Sequence, residues 1–170
     1  IMNKPGHGQR ISNINVNNGS KLCAIQYPKM KKYYWLFDYA ISELLRTSPL
    51  PAYVNWLATI PREEQYTSAV VIGELYKGAY RSHAKQRHLD NIERFIFPAV
   101  TSLPYDVATA KLFGQIRAQL EEAGNILPDA DLQIAATAIY HDLELVSGNL
   151  RHFSRIPKLK LSPILAKDNE

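Results

Sequence analysis

The sequence predicts an α/β domain with a central, mainly parallel sheet and helices on both faces, a three-layer α/β/α arrangement. Three observations carry that expectation. Short apolar runs alternate with segments of helical spacing along most of the chain. The segments between the runs are long enough for the helical crossovers that parallel strands require. Hydrophobic residues make up 46% of 170, enough for one core and short for two domains.

The elements follow in order. Residues 33–37 form an aromatic and apolar run ending at Asp38, the pattern of a buried strand. Residues 41–46 suit a short helix stopped by Ser48 and Pro49. Pro51 fits the first turn of a helix carrying Tyr53, Val54, Trp56, Leu57 and Ile60, and Pro61 ends it. Residues 65–67 are a short strand. Ser68 is placed to cap a helix through Val70, Val71, Glu74, Leu75 and Tyr76, with Gly78 near its end. Residues 84–97 repeat Leu89, Ile92, Phe95 and Ile96 at helical spacing, and 100–103 are strand-like. Asp106 is a good cap for a long helix to Ala123, closed by Gly124. Asp129 is expected to cap a helix over 130–141. Residues 145–147 suit a buried strand, 150–153 one helical turn, and 158–161 a last strand.

The net charge of +4 is unevenly placed. Residues 1–37 carry six Lys or Arg and no Asp or Glu, so the rest carries fourteen basic against sixteen acidic residues. A basic head can attract phosphate backbones; a plain solubilising extension is the other reading. Residues 1–29, rich in Asn and Gly, are expected to be a disordered extension, 30–166 the folded domain and 167–170 a tail. No signal peptide fits the polar start. The longest uncharged run, 47–61, holds three prolines and is too short to span a bilayer. The single cysteine, Cys23, excludes an internal disulfide and any CxxC metal site, in keeping with a reducing cytoplasm.

Three acids stand among apolar neighbours: Asp38 after Leu36-Phe37, Glu74 within Val70-Val71-Ile72-Gly73 and Leu75, and Asp131 before Leu132-Gln133-Ile134. Such an acid must be solvated, paired or metal-bound. Each has a plain alternative. Asp38 could cap the next helix, Glu74 could pair with Lys77, and Asp131 could assist its helix terminus. Carboxylates that converge attract a divalent cation, and oxygen donors favour Mg²⁺ or Mn²⁺ over zinc.

From about Met30 to Leu165 the chain resembles the PIN-domain ribonucleases, specifically VapC-type toxins of toxin–antitoxin pairs. Four ordered motifs carry the resemblance. They are Tyr34-Trp35-Leu36-Phe37-Asp38 with the helix that follows, Thr67-Ser68-Ala69-Val70-Val71-Ile72-Gly73-Glu74-Leu75, Asp131-Leu132-Gln133-Ile134-Ala135-Ala136, and Leu145-Val146-Ser147-Gly148-Asn149 with Leu150-Arg151-His152-Phe153. The resemblance implies a PIN-like fold and a metal-dependent endoribonuclease that hydrolyses RNA phosphodiesters, often in transfer RNA. It implies Asp38, Glu74 and Asp131 as the catalytic acids. Asp38 and Asp131 would hold Mg²⁺ or Mn²⁺, with Glu74 and Asn149 as further candidates and Asp129 and Ser147 in the outer shell. It also implies a cognate antitoxin, a homodimer and a cytoplasmic location.

One departure matters. Relatives usually carry Asp-Thr-Asn or a similar triplet beginning with the first acid, then one residue and an Ile-Ser-like pair, whereas Asp38 is followed here by Tyr39, Ala40, Ile41 and Ser42, with one residue fewer. Loss of such supporting polar groups at a metal site typically costs about 10–100-fold. A one-residue deletion also turns the next helix by about 100° unless the loop absorbs it. Three readings therefore stand: an active ribonuclease toxin, an impaired relative that binds antitoxin or RNA without efficient cleavage, and a phosphoryl-accepting receiver with Asp38 as acceptor. The third leaves Glu74 and the Asp131 segment unexplained.

Other residues are read as structural. His7, His83, His88, His141 and His152 are scattered and suggest no zinc site. Arg81, Lys85, Arg87 and Arg94 suit either an RNA-facing or an ordinary solvated surface. Tyr53, Val54, Trp56 and Leu57 form a candidate wall for an antitoxin groove, and Tyr76 and Tyr80 suit core or interface rather than base stacking.

Overall fold

The computed structural model describes the backbone of Tyr33–Trp35 and residues 50–165. Five described strands, β1 (Tyr33–Trp35), β2 (Gln65–Ser68), β3 (Thr101–Leu103), β4 (Glu144–Val146) and β5 (Lys160–Ser162), form one sheet in the order β3-β2-β1-β4-β5. Every pairing is parallel. The described α-helices are α1 (Pro51–Ala58), α2 (Ala69–Arg81), α3 (Lys85–Asn91), α4 (Val107–Glu122), α5 (Asp129–Tyr140) and α6 (Leu150–Phe153). The expected helix at 41–46, the extension 1–29, the tail and Asp38 lie outside the described residues.

The strand order locates the functional end. The chain moves outward from β1 to β2 to β3, then returns to the other side of β1 for β4 and β5. Register pairs Trp35 with Val146, so β1 and β4 reach their carboxyl ends side by side. In open parallel sheets such a reversal leaves a crevice beyond the strand ends, where ligands gather.

Local chemistry sets most helix limits. The Ser68 side chain accepts a hydrogen bond from the Val71 N–H at 3.1 Å and starts α2. Asp106 accepts from the Thr109 N–H at 2.9 Å while the Asp106 N–H donates to Thr109 Oγ1 at 2.8 Å, a complete capping box for α4. At the end of α4, Gly124 has φ 69°, and the Gly124 and Asn125 N–H groups bond back to the Glu121 and Leu120 carbonyls. This Schellman turn needs a left-handed residue, which glycine adopts without steric cost. The same turn ends α5 on Asp142, at φ 56°; a short polar side chain tolerates that conformation.

The core is organised around α5. Leu132, Ile134, Ala135, Ala136 and Ala138 are all buried, and the alanines allow close backbone approach. Burying Leu132 or Ile134 contributes about 1.5–3 kcal/mol each. Helices α4 and α2 both pack against α5, and Leu145, Val146 and Phe153 complete this centre.

Several expectations shift. The predicted helix over 84–97 is α3, then a π-helical stretch at Ile92–Ile96, then a 3-10 turn at Phe97–Ala99. Pro98 offers no N–H to continue a regular helix. Helix α2 runs to Arg81, past Gly78. Strand β4 ends at Val146, so Ser147 lies just beyond it. Strand β5 begins at Lys160 because Lys158, at φ 65°, cannot join an extended strand. Tyr53 is fully buried and belongs to the core, which removes it from the proposed groove wall; Val54 is exposed, and Trp56 and Leu57 are half-buried against the core.

Candidate active site

The helix α2 begins where β2 ends, which carries Glu74 near the carboxyl edge of the sheet. Its side chain is 29% exposed and forms an ion pair with Lys77 one turn along. The plain reading of Glu74 is thus present in the structure, and a pair this exposed contributes little to stability.

Asp131 is the third residue of α5, and its side chain is only 12% exposed. An acid at this position ordinarily reaches back to the N–H of the capping residue. Here the capping residue is Pro128, which has no N–H, and no side-chain cap bond is formed. The buried Leu132, Ile134, Ala135 and Ala136 that follow it draw this part of α5 into the core. The carboxylate is therefore a mostly buried acid that its own helix does not use in that way.

Its visible partner is distant in sequence. His152 Nδ1 lies 3.5 Å from Asp131 Oδ2. His152 sits on α6, whose Phe153 is fully buried and anchors the turn. From sequence alone His152 is one of five scattered histidines. Its place three residues after Asn149, on one helical turn, was the available signal.

Ser147 and Asn149 form the loop between β4 and α6. The Ser147 side chain is buried, and its Oγ accepts the Asn149 N–H at 3.0 Å. The Asn149 carbonyl starts α6 by accepting from the His152 N–H at 3.2 Å, while its side chain makes no cap bond. Ser147 thus positions Asn149 through the backbone.

Asp129 corrects an expectation. It is not the cap of α5 but its first residue. Its side chain, 64% exposed, forms an ion pair with Arg117 of α4, which also pairs with Glu121. The carboxylate ties two helices together, because Pro128 already occupies the capping position.

The other residues singled out lie apart from these. Arg81, Lys85, Arg87 and Arg94 are exposed on and around α3. Lys85 Nζ sits 4.7 Å from the centre of the Tyr80 ring, and Tyr76 stacks on Tyr80 and meets Phe97 at a tilt. Burial and the nearby Glu93 charge push the Tyr76 hydroxyl up from its ordinary value.

Among the described residues, no three His, Cys, Asp or Glu side chains cluster closely enough to hold a metal ion. Glu74 and Asp131 arise on α2 and α5, which pack together, and Asp38 lies outside the described residues. The donors on hand are carboxylate, amide and hydroxyl oxygens, a set that suits Mg²⁺ or Mn²⁺.

A parallel sheet with a topological switch, and acids on the helices around it, is the frame of one nuclease class. The model for the PIN domain matches residues 40–159, and the chain belongs to that family. The match begins two residues after Asp38. Within the family, the chain is similar to ribonuclease VapC2 of Haemophilus influenzae, 39% identical over 93 residues, covering 55% of this chain and 70% of that one. It is also similar to a tRNA(fMet)-specific endonuclease VapC of Salmonella typhimurium, 38% identical over 94 residues, with 55% and 70% covered. Among solved structures, DNA-bound VapBC from Salmonella typhimurium superposes with a TM-score of 0.70 at 29% identity, covering 78% of this chain and 98% of that one. The α/β fold class and the VapC-type resemblance read from the four motifs both hold.

Proposed function

We propose that this chain is a metal-dependent endoribonuclease toxin of a toxin–antitoxin pair, with transfer RNA as the substrate class. The single observation that carries the reading is Asp131, a mostly buried carboxylate at the start of α5 in a PIN-domain chain. The relatives' names, ribonuclease and tRNA-specific endonuclease, support the substrate class.

In this reading Asp38 and Asp131 would hold Mg²⁺ or Mn²⁺, and Asn149, whose backbone N–H is held by Ser147, would add a neutral oxygen. A bound divalent cation supplies an acidified water and offsets charge on the reacting phosphate. Glu74 orients the attacking water once its carboxylate leaves Lys77, or joins the metal ligands. Asp129 acts only through the placement of α5. The products are two RNA fragments, with the water oxygen on the phosphate.

A cognate antitoxin completes the reading, by likeness to VapBC from Salmonella typhimurium, and we infer a homodimer with it. Val54, Trp56 and Leu57 remain the candidate antitoxin wall. An RNA substrate places the work in the cytoplasm; no described helix is long and apolar enough to cross a membrane.

A second reading, an impaired relative that binds antitoxin or RNA without efficient cleavage, is favoured by one observation. The segment after Asp38 is a residue short, and the family match begins only at residue 40. Incubation of the full chain with bulk transfer RNA and Mg²⁺ or Mn²⁺, with chelator as control, separates the two. Metal-dependent cutting supports the toxin; antitoxin binding without cutting supports the impaired form.

A further inference from the structure

We propose that His152 is a positioning residue for Asp131, orienting its carboxylate toward the cation; this rests on the metal-dependent reading above. Three observations meet at this pair. Asp131 is mostly buried in the first turn of α5. The His152 ring presents Nδ1 to Oδ2 at 3.5 Å across 21 residues of sequence. Its backbone is fixed by the bonds from α6 to the Asn149 carbonyl and by the buried Phe153 beside it.

The chemistry sets the direction of the bond. A carboxylate only accepts, so Nδ1 carries the proton and Nε2 does not take part. The separation is at the long end for an N–H···O bond. Partners of this kind orient a metal-holding group, and their loss typically costs about 10–100-fold in metal affinity or activity. The ring itself is 42% exposed, so a direct contact with RNA through Nε2 is the competing role.

Three substitutions in the full chain separate the roles. His152→Ala removes both nitrogens. His152→Asn returns an amide N–H near the place of Nδ1, and His152→Gln returns one near the place of Nε2. Mn²⁺ affinity is read by calorimetry without RNA, and kcat and KM on bulk transfer RNA with Mn²⁺. The expected result is about a 10-fold loss of Mn²⁺ affinity and of kcat in His152→Ala, with KM little changed. His152→Asn should recover most of both and His152→Gln should not. Unchanged Mn²⁺ affinity and kcat in His152→Ala overturn the proposal. So does recovery by Gln rather than Asn with the defect confined to KM, which assigns His152 to RNA. If His152→Ala does not fold, the Asn and Gln variants still give the ordering. A wild type that binds Mn²⁺ but cuts no RNA sinks the nuclease reading, and the affinity series still judges His152. A wild type that binds no Mn²⁺ overturns both.

Discussion

Helices α4 and α5 both start beside aspartates, and the two starts differ in what the backbone leaves free. At α4 the capping box is closed: Asp106 takes the Thr109 N–H, and Thr109, third in the helix, takes the Asp106 N–H. At α5 the third residue is Asp131 and the capping residue is Pro128, which cannot donate. The first acid is bound by its own helix and faces solvent. The second is drawn into the core by the apolar residues behind it and meets His152 instead. An acid at a helix start is thus held locally when the helix closes on it, and meets partners from elsewhere in the fold when it does not.

The strongest way to break the comparison is Asp131→Asn. We expect RNA cleavage to fall by at least about 100-fold, since this group is proposed to hold the cation. The melting temperature should change little, because the amide keeps the shape. Cleavage at wild-type level in the bulk transfer RNA assay would falsify the role of Asp131.

Pro128→Ser should convert the second start into the first. A serine there supplies both a capping oxygen and an N–H for Asp131 to accept from. We expect Tm to rise by about 2–4 °C and cleavage to drop by about 10-fold as the carboxylate is pulled toward the backbone. Thermal unfolding and the cleavage assay on one preparation check both. A rise in Tm with no loss of cleavage shows that the missing N–H is irrelevant to the site.

Asp106→Ala should lower Tm by about 2–4 °C and leave cleavage per folded molecule unchanged. Hydrogen bonds from Thr109 hold the Asp106 carboxyl below its ordinary value. A depressed folded pKa means that the contribution is present above the unfolded value and is lost as pH falls through the folded one. The Tm gap between wild type and Asp106→Ala should therefore close below about pH 4. A gap that persists well below that range points to packing rather than charge.

The smallest effect belongs to Asp129→Ala. Its pair with Arg117 is largely exposed, so denaturant unfolding should shift by less than about 1 kcal/mol. A large loss of Mn²⁺ affinity in the same variant would restore Asp129 to the metal's surroundings.

Features set by neighbouring residues are legible along the chain. Ser68, Asp106 and Gly124 act within four or five residues of chain, so their caps and turns could be read directly and are found as expected. The alternation of apolar runs and helical segments sufficed for a parallel α/β sheet, and the four motifs for the PIN family. The fate of individual side chains was decided only by packing. Asp129 and Asp131 are two residues apart on one helix, where neighbours so spaced do not share a face. One therefore turns out to Arg117 and the other inward to His152. Tyr53 entered the core although its neighbour Val54 is exposed. The strand order that sets β4 beside β1, and so carries α6 and His152 toward Asp131, depends on contacts across the whole chain. No local pattern encodes those, because each is fixed by which surfaces exclude water together.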